Sequence, residues 1–249
     1  MIEIRGLVKR FGALTAVHPL DLSVPAGEIF GFLGPNGAGK TTTVKLITGL
    51  LKPTAGSIRV AGFDVASQTL RAKRSMGLVP DEPFVYPKLS GFEYLRFIGE
   101  LYGVALADQK RRIPELLEMF ELGRWGGELL ESYSHGMRQK LVIAGILLHE
   151  PKVLILDEPM VGLDPKSARM VKDILLTLAR RGTTIFMCTH ILEIAEKLCS
   201  RVGIMIEGRM IALGTIEELR ARAHGSAGLE DTFLSLTGGQ EYAALLKNL

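Results

Sequence analysis

Short apolar runs, the pattern of buried strands, recur along this chain and are separated by stretches whose apolar residues return every three to four positions. Residues 2–8 alternate as a strand. Leu20–Val24 reads as a second, and Pro25-Ala26-Gly27 as the turn after it. Glu28–Leu33 is a third run, which passes through Gly34–Thr41 into a helix with Val44, Ile47 and Leu51 on one face. Strand-like runs follow at Met76–Pro80, Val153–Asp157, Thr184–Thr189 and Val202–Ile206, and Glu207-Gly208 is a hairpin signal before Arg209–Leu213. Strands alternating with helices predict an α/β core built on a largely parallel sheet.

Between about residues 84 and 150 the strand signals stop. Ser90–Tyr102, Ala107–Phe120 and His135–Leu148 read as helices, with Ser90 and Asp108 as expected N-caps and Gly103 as a C-terminal stop. Pro114 is expected to kink or end the second of them. The expected organisation is one domain of residues 1–249. Residues 1–82 and 151–220 form its core and 83–150 an inserted helical subdomain. The tail, 221–249, is rich in Gly and Ala and then carries Leu229–Leu236 as a possible short helix.

Composition narrows the class. A hydrophobic fraction of 47% and a charged fraction of 23% over 249 residues suit a soluble globular protein with a sizeable core. The net charge of +3 comes with no concentrated basic stripe. Arg71-Lys73-Arg74 and Lys110-Arg111-Arg112 read as solvated helix faces, so no nucleic-acid partner is expected. Cys188 and Cys199 lack metal-type spacing and read as free thiols of a reducing cytoplasm. The N-terminus has no signal-peptide layout. Leu141–Leu148 and Val153–Leu156, the longest apolar stretches, are too short to span a bilayer, so service to a membrane would go through a partner.

Three features carry chemistry. Gly34-Pro35-Asn36-Gly37-Ala38-Gly39-Lys40-Thr41 fills the phosphate-loop pattern between a strand and a helix. Its glycines let main-chain amides curl around phosphates, Lys40 reaches the β- and γ-phosphates, and the Thr41 hydroxyl is offered to Mg²⁺. Val153–Leu156 then ends in Asp157 and Glu158. Asp157 falls where a carboxylate can hold Mg²⁺ through its water shell, and Glu158 where one can face an attacking water. His190 closes the strand Thr184–Thr189, where an imidazole could bond a γ-phosphate. A lone histidine is more often structural.

Over roughly residues 1–220 these motifs, in order and spacing, resemble the ABC (ATP-binding cassette) ATPases. The resemblance implies a P-loop NTPase fold: a RecA-like core, an N-terminal antiparallel β part and an inserted α-helical subdomain. Gly34–Thr42 resembles the Walker A loop, which adds Thr42 to the nucleotide contacts. Val153–Glu158 resembles Walker B, Gly162-Leu163-Asp164 the D-loop, and His190 the switch histidine. Phe11 resembles the aromatic that stacks on adenine. Tyr133-Ser134-His135-Gly136-Met137 resembles the signature motif, with Ser134 and Gly136 retained from the common Leu-Ser-Gly-Gly-Gln form. Taken alone, Ser134 is equally an ordinary N-cap. Leu236-Thr237-Gly238-Gly239-Gln240 lies nearer to that consensus but follows His190 with no acid-terminated strand behind it, so it is rejected. Asp81 stands where the family usually has a Gln that contacts Mg²⁺ and water.

Phe30–Leu33, Tyr86-Pro87-Lys88-Leu89 and Leu229–Gly238 resemble subunits of bacterial exporters whose membrane subunits are separately encoded. The resemblance thus implies ATP and Mg²⁺ as cofactors and a transmembrane permease as partner. A second ATPase subunit is implied too, as a homodimer rather than a heterodimer. It also implies a place on the inner face of the cell membrane and ATP hydrolysis coupled to export. The alternative is a soluble ATPase of the same type acting on nucleic acid, ribosomes or assembly, a class that usually adds a second cassette, coiled coils or zinc motifs.

Overall fold

The computed structural model describes residues 1–222 and Phe233. Its elements run β1 (Ile2–Phe11), β2 (Leu14–Val24), β3 (Ile29–Leu33), α1 (Lys40–Ile47), β4 (Ala55–Val60), β5 (Phe63–Asp64), α2 (Thr69–Arg74) and β6 (Met76–Val79). Then come α3 (Gly91–Tyr102), α4 (Leu106–Met119), α5 (His135–Leu148), β7 (Val153–Asp157), α6 (Pro165–Arg180), β8 (Thr184–Thr189), α7 (Leu192–Leu198), β9 (Arg201–Ile206), β10 (Arg209–Thr215) and α8 (Ile216–Arg222).

Two sheets result. One is antiparallel, in the order β2-β1-β4-β5. The other has the order β10-β9-β3-β8-β7-β6, parallel from β9 to β6 with β10 antiparallel at its edge. Strands β3, β7 and β8 are buried at every position, as runs covered on both faces must be. Phe186 of β8 packs against Phe30 and Phe32 of β3, with ring centroids 5.6 and 5.3 Å apart, and that cluster joins the two sheets with α1. A second cluster lies under the helices inserted between β6 and β7, around Leu95, Leu117, Phe120 and Leu141.

The register decides where chemistry gathers. Leu33 pairs with Thr189, and Asp157 with Cys188, so β3, β8 and β7 end side by side at one edge of the sheet. The phosphate loop, Asp157-Glu158 and His190 all leave from these three carboxyl ends, the usual place for a ligand in an open parallel sheet.

Several expectations need correction. The N-cap of α4 is Ala105 rather than Asp108, which sits in the first turn facing Arg111. Pro114 does not end α4, which runs on to Met119. The first two strands are longer than 2–8 and 20–24, because bulges near Leu7 and Lys9 break the two-residue alternation by which strands are recognised. Strand β4 gives little signal, since only Ile58 and Val60 of its six residues are buried. Ser90 does cap α3, in a reciprocal capping box with Glu93, and Gly103 ends that helix in the left-handed region at φ 73°. Of the expected tail helix Leu229–Leu236, only Phe233 is among the described residues. It is helical and half-buried against the core. Leu236–Gln240 lies outside the described residues.

Candidate active site

The buried strand β3 delivers its chain at full extension into Gly34, and the loop closes back onto α1. Gly39 caps α1 with φ 102°, and a Cβ there would lie 2.6 Å from Ala16 O, so both its angle and its neighbour require glycine. Thr43 N, bonded to Gly39 O at 2.9 Å, is the first α1 amide in a helical bond. The amides of Lys40, Thr41 and Thr42 precede it, at the positive end of the helix dipole. Lys40 is buried, and its Nζ donates to Gly34 O (2.6 Å) and Pro35 O (3.1 Å), which holds the ammonium over the loop. Pro35, Asn36 and Gly37 are exposed on the rim and Ala38 is buried beneath.

A cavity of about 800 Å³ opens in front of this loop. Asn36, Gly37, Gly39, Lys40, Thr41 and Thr42 line one wall. Phe11, Leu14, Thr15, Ala16, His18, Glu207 and Gly208 line the other. Phe11 is half exposed at the mouth, with Lys9 Nζ 4.8 Å from its ring centroid. Another cavity, of about 720 Å³, lies between α4, the end of α5 and α6. The phosphate loop lines only the first; the acid pair and His190 line neither, and the acid pair joins the loop through Asp157, which Thr41 hydrogen-bonds and Lys40 attracts.

Asp157 is nearly inaccessible, and its carboxyl is pushed above the usual carboxylate range. Burial is the main cause, the negative charges of Asp81 and Glu158 add to it, and a Thr41 hydrogen bond and Lys40 pull the other way. The structure therefore gathers Thr41, Asp81, Asp157 and Glu158 into one acid-rich spot. Among the described residues no three His, Cys, Asp or Glu side chains form a metal cage. The donor set is a hydroxyl beside a carboxylate crowded by other carboxylates. It fits a hard cation that completes its shell with phosphate oxygens and water.

Glu158 lies just beyond β7 with φ 50°, an unusual conformation for a side-chain-bearing residue and one that turns its carboxylate toward β8. Its Oε2 accepts the Thr189 hydroxyl (3.0 Å). Its Oε1 accepts the His190 amide (3.0 Å) and lies 2.8 Å from His190 Nδ1. The carboxylate is thus fixed on both oxygens while the imidazole remains half exposed. Such a pair can orient a water and hold its proton.

Among the described residues, Ser134 and Gly136 share no hydrogen bond with the phosphate loop, the acid pair or His190. Ser134 is the N-cap of α5, its Oγ accepting from Met137 N at 3.3 Å, and neither residue lines the cavity of the phosphate loop. Sequence reasoning missed Thr189, Leu14, Thr15, His18, Glu207 and Gly208. Thr189 had a signal in its place immediately before His190. Glu207-Gly208 reads only as a turn until the fold carries that turn to the cavity wall.

Comparison with known proteins agrees with this geometry. The ABC transporter family model matches residues 17–161. The chain is 38% identical over 237 residues to the linearmycin resistance ATP-binding protein LnrL of Bacillus subtilis, a match covering 95% of this chain and 75% of LnrL. It is 42% identical over 220 residues to the daunorubicin/doxorubicin resistance ATP-binding protein DrrA of Streptomyces peucetius, covering 88% of this chain and 67% of DrrA. A solved structure of the ATP-binding subunit of an ABC transporter superposes with a TM-score of 0.91 at 33% identity, covering 95% of this chain and 99% of that one. A phosphate loop at the end of a buried strand, an acid pair two strands away, a histidine on the strand between them and relatives of this kind identify the chain as a member of the ABC transporter family, an ATP-binding cassette ATPase.

Proposed function

We propose that this chain is the ATP-hydrolysing subunit of an exporter, working as two copies beneath a separate transmembrane permease on the inner face of the membrane. The carrying observation is the Glu158–His190 pair beside the phosphate loop, a water-orienting group at a phosphate site. The amides of Gly37–Thr42 and Lys40 bind the β- and γ-phosphates, and Phe11 stacks on the base. Glu158 takes the proton of the attacking water, and His190 holds that carboxylate and faces the γ-phosphate. Thr41 and Asp157 would hold Mg²⁺, which when bound neutralises phosphate charge, with Asp81 at the margin.

Ser134 and Gly136, away from their own phosphate loop, contact the nucleotide of the second copy. Two copies then enclose two ATP molecules, each between one Lys40 and the other chain's α5. Hydrolysis removes the γ-phosphate that joins them, and the dimer reopens. The relatives' names favour export. The resistance proteins are joined by a Nod factor export ATP-binding protein I of Cupriavidus pinatubonensis, 38% identical over 219 residues. Among the described residues no helix is long and apolar enough to cross a membrane. The exposed aromatics Phe84, Tyr86 and Phe97, which meet edge to face at 5.7 and 5.4 Å, supply an apolar surface for a permease. The test mixes a Lys40→Ala chain with a Ser134→Arg chain. Trans action restores one intact site and part of the ATPase activity that each variant alone lacks. No recovery on mixing overturns it.

A further inference from the structure

The first turns of α5 make contacts that the reading above leaves unused. His135 and Gln139 are four residues apart, on one face of the helix. That face rests on residues 159–162, the segment leaving Glu158. A Cβ on Gly162 would lie 2.4 Å from His135 Cδ2 and 2.9 Å from Nε2, so the imidazole sits directly over the α-carbon of Gly162. A Cβ on Gly136 would lie 2.9 Å from Gly162 O, so helix and loop also meet main chain to main chain. Gln139 is wholly buried. Its Nε2 donates to Pro159 O at 3.4 Å, and its Oε1 has no partner.

The segment itself is tightly turned. Val161 N donates to Glu158 O (3.2 Å), Leu163 N to Met160 O (3.3 Å), and Gly162 has φ 76°. Displacement of Gly162 is therefore passed within one turn to Glu158. The Gln139 bond is long for an amide bond and weak by itself. The seat of His135 on Gly162 is the closer contact of the two, and a glycine at position 135 would have no side chain to make it.

We propose that His135 is a positioning residue for hydrolysis: seated on Gly162, it clamps α5 to the 159–162 segment and holds Glu158 in its working place. The clamp ties the end of α5 that faces the partner's nucleotide to the carboxylate acting on the chain's own nucleotide. The inference rests on the two-copy reading above for its role, and on the α5–loop contacts for its existence.

The experiment is a double-mutant cycle of His135→Gly, Gly162→Ala and both, with His135→Gln as the conservative variant. kcat and KM for ATP are measured separately, and amide hydrogen exchange is followed in residues 159–163. His135→Gly is expected to lower kcat about tenfold, ~1.4 kcal/mol of barrier, with KM within about twofold, and to speed exchange in the segment. His135→Gln, which keeps a planar polar group, restores most of kcat. Gly162→Ala is strained by φ 76° in either background, but lowers kcat several-fold less on top of His135→Gly than in the parent, because the contact with the imidazole has been removed. Multiplicative effects, or a His135→Gly kcat within about twofold of the parent, overturn the proposal. A parent chain without ATPase activity would instead overturn the hydrolytic reading. Hydrogen exchange then decides the clamp alone, with unchanged exchange in His135→Gly refuting it.

Discussion

Replacing Glu158 by Gln separates chemistry from architecture. The carboxylate takes three polar contacts: the Thr189 hydroxyl on Oε2, and the His190 amide and ring nitrogen on Oε1. A Gln carbonyl can take over Oε1, and its amide can donate to the Thr189 oxygen, since a hydroxyl accepts as readily as it donates. All three contacts lose their charge assistance, at most about 1 kcal/mol each, offset in part because an uncharged group costs less to bury. Proton abstraction loses far more, because an amide does not take a proton from water. A positioned general base contributes about 10²–10⁴ in rate, ~3–5 kcal/mol of barrier. The expected variant therefore folds, binds ATP and turns over at least about a hundredfold more slowly, accumulating as an ATP-held dimer. Phosphate release, urea unfolding and size-exclusion chromatography with ATP and Mg²⁺ measure the three properties. Turnover within about threefold of the parent, under ~1 kcal/mol of barrier, would refute the assignment of Glu158 as base.

Two further predictions follow from groups around this centre. Asp81→Ala removes a negative charge beside Asp157 at the entrance to the inserted helices; ATP affinity by titration should change less than tenfold, ~1.4 kcal/mol, while transport in vesicles holding the permease falls, and intact transport would rule out a linking role. His149, which caps α5 and stacks on Tyr102 at 3.7 Å and 6°, has its imidazole pushed down to about 4 by burial, and its Nδ1 lacks a partner. A depressed imidazole favours folding in its neutral form, so its contribution is full above about pH 6.5 and is lost as pH falls toward about 4. The gap corresponds to at most about 3 kcal/mol, and about half of that for a ring only half-buried. His149→Phe keeps the stack and should flatten that part of the stability profile in urea unfolding at pH 7.5 and 5, whereas parallel profiles would show that the ring is solvated.

What could be read from the chain beforehand follows from how local each feature is. The phosphate loop, the buried run ending in Asp157-Glu158 and the helix His135–Leu148 are continuous segments whose residue types are dictated by their own geometry. They stand where the sequence puts them. Bulged strands are harder, because the alternation that marks them is interrupted, and only parts of β1 and β2 show it. Ala105 gives no sequence signal as a cap, because it has no side-chain acceptor. Contacts between distant segments leave no local trace. That Glu158 is held by Thr189 and His190, 31 and 32 residues away, depends on β7 and β8 lying adjacent and in register. The same holds for His135 on Gly162: the histidine stands out in the motif, but its neighbour is known only from the packing of α5.

The hairpin turn at Gly208 changes how the nucleotide cavity should be understood. Gly208 N donates to Ala38 O (2.9 Å), His18 N donates to Gly208 O (2.8 Å), and Gly39 packs on Ala16 O. Three segments remote in sequence are riveted through main-chain atoms into a single cup. Its dimensions belong to the peptide backbone, which most side-chain substitutions leave alone. The side chains of Phe11, Leu14 and Thr15 stand on the wall away from the phosphate loop. On the proposed reading the base meets side chains while the phosphates meet mainly the backbone, so exchanging Phe11, Leu14 or Thr15 leaves the frame around the phosphates in place.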